Sequence, residues 1–90
     1  MLGAEKIRYH RLFSKKLSKL RQKVREAFYE RLRIFRQDKF HPILNNHKLS
    51  GKYFGKRSIN ITGDYRALYE EEGDSSIFKL IGTHPELYRK

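Results

Sequence analysis

The sequence predicts one small α+β domain: a small antiparallel sheet packed against two N-terminal helices, in the order β-α-α-β-β-β. Three observations carry that prediction. The chain has 90 residues, 38% of them hydrophobic, which is apolar material for one core and too little chain for two. Apolar residues recur at helical spacing between His10 and Lys39, a stretch without Gly or Pro. From Lys56 onward the period falls to two, and Gly-containing turns punctuate it. No repeat, low-complexity tract or linker divides the chain, so residues 1–90 are read as a single domain.

Each element follows in turn. Glu5 to Tyr9 alternates, with Ile7 and Tyr9 on one side and Lys6 and Arg8 on the other, and reads as a first strand. Phe13, Leu17, Leu20 and Val24 then form a helical stripe, and Phe28, Leu32 and Phe35 form a second. A lone helix of this length would be long for such a chain, so two helices are expected, broken near Arg21–Lys23. Pro42 stops the helical stretch, and a polar connector runs to Lys48. Ile59 and Ile61 alternate against Ser58, Asn60 and Thr62 in a second strand. Gly63-Asp64 is a turn, Tyr65 to Glu70 a third strand, and Glu71 to Asp74 a hairpin loop. Ile77 to Ile81 is a mostly apolar last strand, ended by Gly82-Thr83-His84-Pro85.

Charge narrows the partners. Lys and Arg number 21 against 10 acids, a formal net of +11. Residues 1–39 carry 13 basic and 4 acidic side chains, 13 − 4 = +9, and residues 40–90 carry 8 − 6 = +2. Such an imbalance favours an anionic partner. Lys15, Lys19 and Lys23 lie on one helical face with almost no acids to offset them, and like charges at this spacing repel. The absence of Cys excludes disulfides, thiol nucleophiles and Cys-based metal centres. Met1-Leu2-Gly3-Ala4 leads straight into charged residues, and no apolar run approaches membrane-spanning length. The expectation is a cytoplasmic protein that does not engage a membrane. Walker, dinucleotide-binding, zinc-protease and nucleophile-elbow motifs are all missing.

The candidate chemistry lies in the histidines and a basic, aromatic patch. His10, His41, His47 and His84 have no metal-ligand spacing, so no metal and no cofactor is expected. His10 and His41 read as turn or surface residues. His84 follows an apolar strand beside Gly82, where a side chain is both held and accessible, as proton transfer needs. Lys48, Lys52, Lys56 and Arg57 interleave with Tyr53, Phe54 and Tyr65, a mixture suited to phosphate contact and base stacking. Phe54 itself is expected in the core.

Three stretches go further: His47-Lys48-Leu49-Ser50-Gly51 through Asn60-Ile61, then Gly63-Asp64-Tyr65-Arg66-Ala67-Leu68-Tyr69, then Ile81-Gly82-Thr83-His84-Pro85-Glu86-Leu87-Tyr88. Together they resemble the RelE/ParE superfamily of toxins from toxin–antitoxin modules, most closely its YafQ-like branch. The resemblance follows the whole chain in element order and is specific over residues 47–88. It implies an endoribonuclease that cuts mRNA, typically on the ribosome, and that a cognate acidic antitoxin holds inactive. His47, Asp64, Arg66, His84 and Tyr88 match that branch's catalytic positions or those of its YoeB-like relatives. Tyr65 stands where the branch carries a Trp, and an aromatic there still stacks on a base. Asn60 stands where it carries a second His; Asn hydrogen-bonds but exchanges no proton at neutral pH.

The residues suit this chemistry on their own terms. Metal-free RNA cleavage needs a base for the 2′-hydroxyl, an acid for the leaving 5′-oxygen, and positive charge for the transition state. His84 is the candidate acid, and either His47 or Asp64 the base. Arg66, with Lys52 or Lys56, would stabilise charge, and Tyr65 and Tyr88 would orient bases. Lys48, Lys52, Lys56, Arg57, Asn60 and Tyr65 form the expected substrate-binding set. Two other readings compete: a ParE-like toxin that binds gyrase, and a non-catalytic RNA-binding protein or decayed toxin. A gyrase binder has no need of the G-T-H histidine or the Asp–Arg pair.

Overall fold

A computed structural model describes residues 6–88; Glu5 of the expected first strand lies outside them. The elements are β1 (Lys6–Tyr9), α1 (Arg11–Lys19), α2 (Gln22–Gln37), β2 (His47–Lys48), β3 (Arg57–Asn60), β4 (Tyr65–Glu72), β5 (Ser75–Thr83) and α3 (His84–Tyr88). Short 3-10 turns occupy Pro42–Leu44 and Gly51–Tyr53. The five strands form one sheet in the order β1-β5-β4-β3-β2.

The α+β layer is as expected, with three differences. The sheet is mixed rather than wholly antiparallel, because β1 pairs in parallel with β5. Two helices, not a hairpin, follow β1 and carry the chain away from its start, which is what a parallel neighbour requires. His47–Lys48 adds a fifth strand on the far edge, too short to show a period. The last strand runs directly into α3, where the sequence suggested only an end.

The helix break falls at Leu20 and Arg21, both extended. The Arg25 guanidinium donates to the Leu20 carbonyl and so satisfies an acceptor that α1 leaves open at its end. His10 caps α1 by accepting the Leu12 N–H on Nδ1 at 3.0 Å, and His41 accepts that of Ile43 at 3.1 Å. Both are turn histidines with a structural task.

One face of the sheet carries the core. Phe13, Leu17, Phe28, Leu32 and Phe35 from the helices cover Ile59, Ala67, Tyr69, Phe78 and Ile81 from the strands. Phe78 stands at the centre, its ring 5.4–5.6 Å from those of Phe13, Phe28, Phe35 and Tyr69. A register shift between Leu68 and Tyr69 keeps Tyr69 opposite Phe78 on that face. The period of two sends Ser58, Asn60, Arg66 and Gly82 to the other face, which α1 and α2 leave open.

Candidate active site

The open face is built from three local devices. The first is the β3–β4 turn. Thr62 Oγ1 accepts the backbone N–H groups of Asp64 and Tyr65 at 3.1 and 3.0 Å. Arg66 then folds back, donating from Nη1 to the carbonyls of Thr62, Gly63 and Tyr65 at 3.0, 3.2 and 3.0 Å. One guanidinium nitrogen is anchored, and the other edge of the fork makes no hydrogen bond among the described residues.

The second device starts α3. Thr83 and Glu86 form a reciprocal capping box: Glu86 Oε1 accepts the Thr83 N–H at 2.8 Å, and Thr83 Oγ1 accepts the Glu86 N–H at 3.3 Å. The hydrogen bond from the Thr83 backbone holds the Glu86 carboxyl below its ordinary range, and Lys16, 3.7 Å away, adds to this. Gly82 leaves the room: a Cβ there would stand 2.9 Å from Glu86 Oε1. His84 is the first residue of the helix, and its N–H donates to the Asp64 carbonyl at 2.9 Å. The turn that holds Arg66 and the helix that holds His84 are thus joined. Tyr88 lies one turn on, its ring 4.6 Å from the His84 ring. Tyr53 braces that end with a 2.6 Å hydrogen bond to the Leu87 carbonyl and an edge contact to Tyr88 at 5.7 Å.

The third is the β2 edge. Asn45 adopts the left-handed conformation (φ 47°) and presents its carbonyl 2.8 Å from His47 Nδ1. A carbonyl only accepts, so Nδ1 carries the proton and the neutral ring keeps its lone pair on Nε2.

These devices converge on a cavity of about 300 Å³ lined by Asn45, His47, Leu49, Ser58, Arg66, His84 and Tyr88. Four of the five expected catalytic residues meet there. The fifth, Asp64, touches the arrangement through its backbone carbonyl and its side chain is not part of the lining. Asn60 shares the face, opposite Arg66 in register, without lining the cavity. Tyr65 differs from expectation: it packs against the core cluster, because adjacent residues of a strand point to opposite faces.

The basic patch divides. Lys48, Lys56 and Arg57 line a second cavity of about 290 Å³, with Phe54 and Glu71, and Leu49 is common to both cavities. Lys56 is engaged by Glu70 at 2.9 Å, and Arg57 by Asn46 Oδ1 at 2.8 Å. Lys52 lies over the Tyr53 ring at 5.2 Å. Phe54, expected in the core, is 81% exposed. Gly51 and Gly55, at φ 66° and 93°, turn the chain so tightly around it that its side chain is carried outward.

Sequence reasoning did not single out Asn45 or Ser58, and it marked Tyr53 as a stacking aromatic rather than as the brace of α3. Ser58 is fully buried and lines the cavity, and its Oγ, like Asn60 Oδ1, has no hydrogen-bond partner among the described residues. A serine beside Ile59 in a strand that alternates polar and apolar residues was the available signal. Among the described residues no three His, Asp or Glu side chains gather as a metal site, and no helix is long and apolar enough to cross a membrane.

No protein-family model matches the chain. No curated protein matches its sequence. Solved structures match its fold. The E. coli DinJ–YafQ toxin–antitoxin complex matches at 22% identity and TM-score 0.73, over 96% of this chain and 99% of that one. A YoeB/ParE toxin from Agrobacterium tumefaciens matches at 17% identity and TM-score 0.71, over 88% and 98%. The RelBE2 toxin–antitoxin complex of Mycobacterium tuberculosis matches at 19% identity and TM-score 0.68, over 91% and 100%. The chain therefore shares its fold with solved toxins of toxin–antitoxin pairs, YafQ among them.

Proposed function

We propose that the chain is the toxin of a toxin–antitoxin pair and a metal-independent endoribonuclease that cuts mRNA on the ribosome. The observation that carries this reading is the meeting of His47, Arg66, His84 and Tyr88 on one cavity, on the face the core does not use. Antitoxin complexes among the matching structures support the partner.

The reaction follows from the groups present. His47 Nε2, left with a lone pair by the Asn45 contact, takes the proton of the RNA 2′-hydroxyl. That oxygen attacks the adjacent phosphorus, and the bond from phosphorus to the 5′-oxygen breaks. Protonated His84 gives its proton to the leaving 5′-oxygen. Arg66, anchored on one nitrogen and open on the other side of its fork, meets the charge that grows on the phosphate. Tyr88 orients the His84 ring and flanks the base. Of the two candidate bases, His47 is favoured because it lines the cavity; Asp64 serves by holding the His84 backbone. Lys15, Lys19 and Lys23, exposed on the helices, suit ribosomal RNA during cutting and an acidic antitoxin during storage.

The products test this. RNA cut by the protein, on the ribosome or, where the ribosome is not required, free in EDTA, is expected to end in a 2′,3′-cyclic phosphate, or the 3′-phosphate it decays to, and a 5′-hydroxyl. A 2′-deoxy nucleotide on the 5′ side of the cut is expected to abolish cleavage and leave binding nearly intact. A 5′-phosphate product, or undiminished cutting of the deoxy substrate, would overturn the mechanism.

A further inference from the structure

Phe54 is an anomaly by burial. Removing a Phe side chain from water is ordinarily worth about 1.5–3 kcal/mol, yet this one is exposed and makes no ring contact among the described residues. It is also held firmly where it is. The Phe54 N–H donates to the Gly51 carbonyl at 3.0 Å, the Lys56 N–H to that of Tyr53 at 3.0 Å, and the Leu49 N–H to that of Lys56 at 3.0 Å. Its neighbour Tyr53 is fastened to α3. The same loop is therefore braced against the helix that carries His84 and Tyr88.

The surroundings identify an occupant. Phe54 lines the second cavity with Lys48 and Arg57, and Lys52 is two residues away. The acids nearby are already engaged: Glu71 by Lys39 at 2.6 Å, and Glu70 by Lys56. Lys48 makes no ion pair among the described residues. Lys48 follows the cavity residue His47 on β2, and Leu49 borders both cavities. An exposed aromatic face with cations beside it, next to the cavity that gathers His47, Arg66 and His84, has the make-up of a single-strand nucleic-acid platform.

We infer that Phe54 is a stacking platform for a nucleotide beside the cut, with Lys48 and Lys52 contacting the flanking phosphates. The inference rests on the RNA substrate of the proposed function, not on the chemistry of the cut. It adds a binding residue outside the histidine cavity and assigns the second cavity to the RNA strand leaving the first.

The test measures binding and stacking separately from cleavage. A mixed-sequence single-stranded RNA of about ten nucleotides, made uncleavable with 2′-deoxy residues, is titrated by fluorescence anisotropy. Phe54→Ala is expected to weaken binding roughly 5- to 100-fold, and Phe54→Trp to restore it. Leu12→Ala, which trims another exposed apolar side chain, is expected to bind as the unaltered protein does. A 2-aminopurine placed successively along the RNA is expected to be quenched by the unaltered protein and by Phe54→Trp, not by Phe54→Ala. Circular dichroism checks that each variant is folded. Unchanged affinity and quenching in folded Phe54→Ala would overturn the inference. So would an Ala variant that binds RNA normally but loses an acidic peptide. Phe54-dependent binding by a protein that never cuts would leave the platform standing and sink the nuclease. Normal cutting with no dependence on Phe54 would do the reverse.

Discussion

The two faces of the sheet are built to opposite rules. On the helix side, aromatic and aliphatic side chains from α1, α2, β3, β4 and β5 close around Phe78, with ring centroids 5.0–5.6 Å apart from Phe35–Tyr69 through Phe13–Phe78. On the other side stand His47, Ser58, Asn60 and Arg66, with His84 entering from α3, and two buried oxygens there lack partners among the described residues. A buried polar atom left unmet costs about 1–3 kcal/mol. The core face supplies the stability that tolerates this, and the strand period keeps the two sets of residues apart. Damage to one face should therefore be readable separately from damage to the other.

The largest effect is expected on the core side. Phe78→Ala removes a fully buried ring that five other rings touch, and should cost about 3–5 kcal/mol. For a domain of this size that is a large share of total stability. Urea unfolding would report it as a lower midpoint. A stability near that of the unaltered protein would show that the two faces are not as distinct as described.

His84→Gln is the matching change on the open face. It should reduce RNA cleavage by roughly 10²–10⁴-fold with the unfolding midpoint nearly unchanged. Induced expression should then no longer arrest growth. A variant that loses its fold would place His84 among the structural residues, and arrest that persists without RNA cutting would favour a gyrase-binding toxin.

The smallest effect sharpens the comparison at the capping box. Glu86 has its carboxyl pKa lowered in the folded protein from the ordinary 4.5, chiefly by the Thr83 backbone hydrogen bond. Its contribution is thus fully present above that ordinary value and is lost as pH falls through the lower, folded one. The protection of the Thr83 amide, relative to its intrinsic exchange rate at each pH, should fall over that acidic window, while amides of Phe78 and Tyr69 stay protected. Glu86→Gln keeps a capping side chain without the titration, so the pH dependence of the protection at Thr83 should vanish. Gly82→Ala should disturb the same amide at every pH, since its Cβ meets Glu86 Oε1. Equal acid sensitivity on both faces would argue for a single cooperative unit instead.

Much of this division was legible beforehand. The helical stripes of Phe13, Leu17, Phe28 and Phe35 and the alternation around Ile59 specify which residues meet water and which do not. That pattern is local and follows from the geometry of helix and strand alone. The end of the apolar Ile77–Ile81 strand beside Gly82 marks His84 on local grounds, as a side chain both held and accessible. His47, by contrast, was marked only by resemblance, since a two-residue strand carries no period.

What the tertiary structure alone decided concerns contacts between distant segments. The parallel pairing of β1 with β5 joins residues about seventy positions apart, and no local pattern encodes it. Tyr65 and Arg66 are neighbours in sequence and equally plausible site residues; only the sheet register sends Tyr65 to the core and Arg66 to the cavity. Asp64 and His84 meet through a backbone hydrogen bond that side-chain identity does not announce. Phe54 is hydrophobic, and sequence reasoning puts such a residue inside. Gly51 and Gly55 send it outward because the positive-φ turn they permit leaves the side chain no path back to the core. Residue type and spacing determine the elements and their buried faces; the long-range closure of the chain determines which polar groups share a cavity.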